Sequence, residues 1–281
     1  MHTPVLLQEA IDGLKVKKDG LYIDATFGEG GHAIEIVRRG GKVLGIDLDQ
    51  YQISNIKYQN DISKFKNLKL VQGNFNNIEQ IAKENNFFPV DGILFDLGLS
   101  MAQIDSSGRG FSYNKLNEAL DMRINLDYEE TAASIINRYS EEELYEIFAK
   151  YSEDLNSRAI AKATVFNRRL KKITIVGNLV RIIRETLKRS DEKTYRRIFQ
   201  ALRIKVNNEF ENLQQGLRKS LAILKKDGRI AVITFHSLED RLVKNFIREN
   251  NLVQVNKKII TGDRDLRFER SAKLRIISFE K

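Results

Sequence analysis

Three aspartates stand at the ends of short apolar runs in the first hundred residues: Asp24 closes "LYID", Asp47 closes "KVLGID" and Asp96 closes "VDGILFD". A further run, "RIAVITF", leads into His236, one of only three histidines (His2, His32, His236) in 281 residues. Phe75 follows another apolar run, "LKLVQG". In an open parallel sheet, ligands lie outside the carboxyl ends of the strands, so these five side chains would share one rim. Packing alone does not ask for polar or aromatic residues at five strand ends.

Directly after Asp24 lies "ATFGEGGHA", in which Gly28-x-Gly30-x-x-Ala33 satisfies the glycine pattern of dinucleotide-binding turns. Glycines there permit a tight turn and let a ligand approach backbone N–H groups at a helix start. Asp47 follows Gly28 by 19 residues, close to the spacing at which a carboxylate meets ribose hydroxyls. The glycine pattern alone is common; the acids narrow the ligand. Extra carboxylates repel a pyrophosphate, whereas they attract a nucleoside carrying a sulfonium and an ammonium. S-adenosyl-L-methionine fits that description better than a nicotinamide or flavin dinucleotide.

The elements that must hold these residues alternate. Strand signals in "LYIDATF", "KVLGIDLD", "LKLVQGNF" and "VDGILFDLGLS" are separated by helical stretches such as "GHAIEIVRRGG", which implies a mostly parallel sheet with helices on both faces. From about residue 104 to about residue 202 the periodicity is helical, with "SEEELYEIFAKY", "NSRAIAKATVFNRRL" and "VGNLVRIIRETLKR" placing apolar residues at helical spacing. Alternation resumes with one long helix over "FQALRIKVNNEFENLQQGLRKSLAILKKDG", stopped by Gly228. The strand "RIAVITF", a helix opening at Ser237, and two strands in "LVQVNKKII" and "AKLRIISF" complete the chain. The expectation is one α/β domain, residues 1–103 and 203–281, interrupted after its fourth strand by a helical insert, residues 104–202.

Composition limits the chemistry. Without cysteine there are no disulfides and no thiolate zinc sites; with three histidines no metal centre is expected. No apolar run approaches the roughly 20 residues that span a bilayer, and "MHTPVLLQEAIDGLKVKKDG" carries no basic leader. A cytoplasmic protein with no membrane partner is expected. The net charge of +9 is concentrated: residues 158–205 hold 15 Lys+Arg against Glu185, Asp191 and Glu192, an excess of +12, so the remainder is net acidic. Such a segment suits a phosphate backbone.

Blocks running almost end to end, among them "DATFGEGGH", "DLGLSMAQID", "RGFSY", "LDMRI", "FQALRIKVNNE", "TFHSLEDRLVK" and "RSAKLR", resemble the MraW/RsmH family of ribosomal RNA small-subunit methyltransferases. The resemblance implies a class I S-adenosylmethionine-dependent methyltransferase sheet and methylation of the exocyclic N4 amine of a cytidine in small-subunit ribosomal RNA, probed best within the assembled subunit. It further implies that Gly30, Gly31, His32, Asp47, Phe75, Asp96 and Gln103 hold the donor. Four places depart from the family pattern: Met101-Ala102 for Ser-Pro, Ser152 for a glycine expected at positive φ, a shorter stretch between "VKNFIREN" and "RSAKLR", and Phe268-Glu269 for Asn-Pro.

A cytosine amine is a poor nucleophile because its lone pair is delocalised into the ring, so the site needs an acceptor for an amine proton. Asp96 is the first candidate by position. His236 is a later proton acceptor or a partner of the base, and Asp240 with Arg241 would orient His236 or meet RNA. Ser237 and Asp240 have capping-box spacing for the next helix. Arg168, Arg169, Lys171, Lys172, Arg196 and Arg197 are the expected RNA contacts, and Phe111, Tyr113 and Phe166 the candidates for stacking an extruded base. Two rival readings explain less. An NAD-dependent oxidoreductase shares the glycine loop and Asp47 but gives no reason for the basic insert. A non-catalytic RNA-binding protein leaves the strand-end acids idle. The sequence is silent on oligomeric state.

Overall fold

The computed structural model describes residues 4–59, 65–263, 265–266 and 269–278; His2 and Phe268 lie outside them. Along the chain run α1 (Leu7–Leu14), β1 (Leu21–Asp24), α2 (Gly31–Arg38), β2 (Lys42–Asp47), α3 (Gln50–Gln59), β3 (Leu68–Gln72), α4 (Ile78–Glu84) and β4 (Val90–Asp96). Six helices follow: α5 (Met101–Asp105), α6 (Ala132–Arg138), α7 (Glu141–Ser152), α8 (Ser157–Leu170), α9 (Val176–Leu187) and α10 (Glu192–Asn207). The chain then returns to the sheet through α11 (Glu209–Ile223), β5 (Leu224–Thr234), α12 (Ser237–Glu249), β6 (Val253–Gln254), β7 (Ile260–Thr261) and β8 (Lys273–Ser278). Two compact units result, Met1–Gly98 with Phe210–Lys281, and Leu99–Glu209.

The first unit is a sheet of order β3-β2-β1-β4-β5-β8-β6, with β7 also on β8. β1 to β5 pair in parallel, and β8 runs antiparallel to β5, β6 and β7. Its central strands are apolar on both faces, as a sheet covered on both sides requires. Tyr22, Leu94, Ala231 and Ile233 face Ala10, Ile11, Leu14 and Ile36 of α1 and α2. Their neighbours Ile23, Ile93, Phe95 and Val232 face Ile78, Leu213, Leu217 and Val243 of α4, α11 and α12. The strand order reverses between β1 and β4, and a crevice opens at the carboxyl ends of strands at such a switch point.

The second unit has its own core, with Leu144 and Phe148 of α7, Ile160 of α8, Leu179 and Ile183 of α9, and Ile198 and Leu202 of α10 all fully buried. Residues 106–131, expected to be helical, instead follow an irregular path. Arg109 holds it by donating to the carbonyls of Arg123 and Ile124 at 3.0 Å. Asn207 adds a donor to Met122 O (2.8 Å) and an acceptor for Ile124 N (2.7 Å).

Asn207 and Asn208 also explain a corrected boundary. The long helix expected across them is two helices, because Asn208 adopts φ 49° and ends α10 with its N–H on Ile204 and Lys205 carbonyls. Asparagine is among the few residues that take this left-handed conformation readily. The unit boundaries therefore fall at Leu99 and Glu209 rather than at 104 and 202. Arg203, beyond the expected boundary, is tied within the second unit to Glu209 at 2.8 and 3.0 Å. Gly228 does not stop α11, which ends at Ile223; it lies inside β5, where the pairing with β4 jumps from Val90↔Leu224 to Gly92↔Arg229. Ser152 is not strained either. It is the last residue of α7, its hydroxyl donates to Phe148 O at 2.6 Å, and the positive φ (50°) falls on Glu153.

Phe148→Ala should destabilise the second unit by about 3–5 kcal/mol, the usual cost of emptying a phenylalanine site in a packed core. Amide hydrogen exchange should show lost protection in α7, α8 and α10 while β1, β4 and β5 keep theirs.

Candidate functional site

The register of the sheet brings the three strand-end acids to one edge. Asp24 pairs across β1 with Gly45 and Leu94, Asp47 sits opposite Gln72, and Asp96 opposite Ile233. Asp47 Oδ2 accepts the Gly28 N–H at 2.7 Å and its Oδ1 the Asp49 N–H at 2.8 Å. The 19-residue spacing thus has a direct structural correlate, a carboxylate at the end of β2 fastening the glycine turn after β1. Thr26 Oγ1 accepts the Asp96 N–H at 2.6 Å, and Asp24 Oδ1 accepts the Thr26 N–H at 3.3 Å. One loop residue therefore ties the ends of β1 and β4 together.

Asp24 is 1% exposed and Asp47 8%. No lysine or arginine pairs with either among the described residues. Burial pushes the Asp24 carboxyl up to about 7, the nearby Asp96 and Asp47 adding to the rise. Burial likewise raises Asp47 to about 6, against the hydrogen bonds it accepts from Asp49 and Gly28.

The glycines divide the work differently from the reason their sequence suggests. Gly28 adopts φ +54°, and a Cβ there would meet nothing nearer than Thr26 O at 3.8 Å, so the turn is open on that side. Gly30 (φ +79°) lies against the Phe27 ring, and Gly31 against Pro4. Their missing side chains serve close packing within the protein, while at Gly28 a side chain would meet nothing so close. His32 is 5% exposed and donates from Nε2 to Val5 O at 3.0 Å, with Nδ1 3.8 Å from Asp96 Oδ2. Burial outweighs Asp96 and lowers its pKa, so His32 is a neutral wall beside Asp96. Phe75 stands half-buried against Phe95, ring edge to face at 5.6 Å. Gln103 belongs to the second unit, where its side chain closes a capping box with Ser100: Ser100 N donates to Gln103 Oε1 at 2.9 Å, and Gln103 N to Ser100 Oγ at 3.1 Å. Met101-Ala102 are the first residues of the helix that box starts.

At β5 the cap lies one residue earlier than expected. His236 itself is the N-cap of α12: its Nδ1 accepts the Glu239 N–H at 3.3 Å, and Glu239 Oε2 accepts the N–H groups of Phe235 (2.7 Å) and His236 (3.3 Å). Since Nδ1 accepts, a neutral ring carries its proton on Nε2, which lies 3.0 Å from Glu239 Oε1 outside hydrogen-bonding geometry. Glu239, 2% exposed, is the residue that orients His236. Its signal was the i,i+3 acid in "HSLE", masked by the more familiar Ser-x-x-Asp spacing. Asp240 faces elsewhere, accepting from Arg275 Nε at 2.9 Å and Lys273 Nζ at 3.5 Å. Burial would raise its carboxyl, but these two cations outweigh it and hold it below the ordinary range.

The basic residues also separate. Arg169, Lys171, Lys172 and Arg196 are exposed. Arg168 is spent inside the unit, donating to Ile136 O at 2.6 Å, and burial lowers its pKa. Arg197 is drawn to Asp154 Oδ2 (3.8 Å) and Glu153 O (3.4 Å). Of the three aromatic candidates, Tyr113 packs on Tyr195 and Phe199 at 5.8 and 6.3 Å, and Phe111 lies under the Arg109 guanidinium. Phe166 is 63% exposed.

Parallel strands in the order 3-2-1-4-5, an antiparallel strand beside the last, a glycine turn after the first and an acid ending the second define a nucleoside-binding sheet of the class I methyltransferase type. The chain belongs to the MraW methylase family, which it matches over residues 1–279. It is 43% identical to the ribosomal RNA small subunit methyltransferase H of Clostridium botulinum (strain Loch Maree / Type A3), with 88% of this chain and 81% of that one covered. The protein of the same description from Dictyoglomus thermophilum is 41% identical, over 98% and 96% of the two chains.

A carboxyl with a raised folded pKa lends stability below its unfolded pKa and loses it as pH rises through the folded one. For Asp24 that window runs from 3.8 to about 7. Asp24→Asn should therefore gain stability relative to wild type as pH is raised from about 5 to about 8, by at most roughly 3 kcal/mol. Denaturant titrations of both proteins across that range check it; a pH-independent difference would contradict it. Glu239→Ala should cost about 1–3 kcal/mol, because it strands two backbone N–H groups beneath α12, and should broaden the His236 ring resonances.

Proposed function

We propose that this protein transfers a methyl group from S-adenosyl-L-methionine to the exocyclic N4 amine of a cytidine in small-subunit ribosomal RNA, acting on the assembled small subunit in the cytoplasm. The observation that carries the reading is the rim of Asp24, Asp47 and Asp96 beside the open face of Gly28, with no lysine or arginine among the described residues paired to Asp24 or Asp47. Such a rim favours a cationic nucleoside over a pyrophosphate, in a chain whose relatives are named for ribosomal RNA methylation.

When bound, the donor supplies an electrophilic methyl on a sulfonium. The chain's residues do the rest by placement. Asp47 has a second lone pair on each oxygen for ribose hydroxyls after accepting Gly28 and Asp49 N–H groups. Phe75 offers a ring for adenine, held edge-on by Phe95. Asp96, rooted through its own N–H to Thr26, accepts a proton of the amine so that the nitrogen lone pair localises toward the methyl. His32 shields that carboxylate with a neutral ring. His236, fixed by Glu239, stands at the end of β5 as a contact for the base; with Nδ1 already accepting the Glu239 N–H and Nε2 protonated, its neutral ring has no lone pair free to take the proton onward. Arg169, Lys171, Lys172 and Arg196 contact RNA phosphates.

The deciding experiment is transfer of labelled methyl to small subunits lacking the modification, followed by nucleoside analysis. Label in N4-methylcytidine is expected; label in another nucleoside, or none, overturns the reading. Because Asp47 titrates at about 6 and Asp24 at about 7, donor affinity measured by calorimetry should weaken as pH falls from about 7.5 to about 5.5, and NAD should give no binding heat. Replacing Arg169, Lys171 and Lys172 by Ala should reduce the slope of log affinity for RNA against log salt by roughly 2–3.

A further inference from the structure

Helix α8 has two apolar faces, of which its own unit uses one. Ile160, Ala161 and Thr164 are fully buried in the core. On the outward face Arg158, Ala159, Lys162, Phe166, Arg169 and Leu170 are exposed. Phe166 is 63% and Leu170 77% exposed, and at i,i+4 spacing they are neighbours on the helix surface. Phe166 is the exposed aromatic of this unit, since its other tyrosines and phenylalanines are buried or half-buried.

The charged residues on this stretch of the chain are of one sign. Lys162 lies one turn before Phe166, Arg169 stands between it and the helix end, and exposed Lys171 and Lys172 follow. No Asp or Glu occurs from 155 to 184. At the opposite end of the face Arg158 is already engaged, paired with Glu142 at 3.2 Å and lying 3.9 Å over the Tyr145 ring. The available surface is therefore the C-terminal half of α8.

We propose that Phe166 and Leu170 form a platform on which an unpaired base of the substrate RNA stacks while Arg169, Lys171 and Lys172 hold its flanking phosphates; this deepens the RNA reading above and rests on it. An exposed ring on a helix stretch that carries cations on either side and no acid is an arrangement that binds single-stranded nucleic acid irrespective of sequence, the ring meeting a base face and the cations the backbone. A protein surface seated here would have to bring both an apolar patch and acids. A duplex offers phosphates but no free base face.

The test uses the full-length protein and a short single-stranded RNA carrying 2-aminopurine, with the same sequence as a duplex for comparison. Wild type should quench the 2-aminopurine on binding. Phe166→Ala should lower single-strand affinity about tenfold and abolish the quench, Phe166→Trp should restore both, and Leu170→Ser should give a smaller loss. Duplex affinity should move by less than about twofold, because phosphate contacts dominate it. Both side chains are exposed, so none of these changes should lower the unfolding midpoint. If Phe166→Ala and Leu170→Ser bind the single strand as wild type does, the platform is refuted, and wild-type methylation of small subunits by the same variants would leave the methyl-transfer reading standing. Unchanged single-strand binding with lost methylation would also refute it and point to a ribosomal protein on this face. A wild type that binds and quenches the single strand but labels no small subunits would support the platform and remove the methyl-transfer reading alone.

Discussion

The hydrogen bond from the Gly28 N–H to Asp47 joins the ends of two adjacent strands, and the geometry of the rim depends on it. It fixes the turn after β1 in a conformation with positive φ, leaves the Gly28 face open, and places the carboxylate where it can still accept two more donors. The bond is made at 8% exposure, where an ionised carboxylate is costly unless hydrogen-bonded. The backbone N–H groups around it offset only part of that cost, so the pKa stays raised. Asp24, deeper and with weaker hydrogen bonding, is raised further. The rim is electrostatically strained in its ionised form, and a cation is what relieves such strain.

Much of this was legible in the sequence, for a physical reason. Strands covered on both faces must be apolar throughout, so polar residues are displaced to their ends, and "LYID", "KVLGID" and "VDGILFD" announce both the strands and the rim at once. The α/β alternation, the insertion after β4 and a strand at the C-terminus follow from the same signal, whereas the antiparallel direction of β8 does not. What stayed hidden was the use each side chain makes of its hydrogen-bonding capacity. "HSLED" contains two acids with capping potential, and only the register of α12 decides that Glu239 takes the His236 and Phe235 N–H groups while Asp240 turns to Arg275. Ser-x-x-Asp was the more familiar pattern, and it pointed one residue too far along.

The same limit governed the basic segment and the breaks between elements. Charge counts cannot distinguish Arg168, which caps the Ile136 carbonyl, from Arg169, one position further round the helix and in solvent. Periodicity likewise ran straight through "KVNNEF", because Asn207 and Asn208 sit at positions compatible with a helix. What ends α10 is the tertiary demand of the 122–124 segment on Asn207, together with the tolerance of Asn208 for φ 49°. Residues 106–131 misled for a related reason: their backbone groups are satisfied by side chains such as Arg109, Asn207 and Glu118, which periodicity does not register.

The distribution of unsatisfied demand differs between the two units, and that difference connects fold to function. In the first unit the unmet demand is for positive charge, at Asp24 and Asp47, buried carboxylates that no lysine or arginine among the described residues pairs with. In the second it is for negative charge and apolar cover, at Arg169, Lys171, Lys172 and the exposed Phe166 and Leu170. Burying charge and exposing aromatic surface both reduce stability, so neither feature is explained by folding. On the reading proposed above, a cationic methyl donor answers the first demand and a polyanion with accessible base faces answers the second.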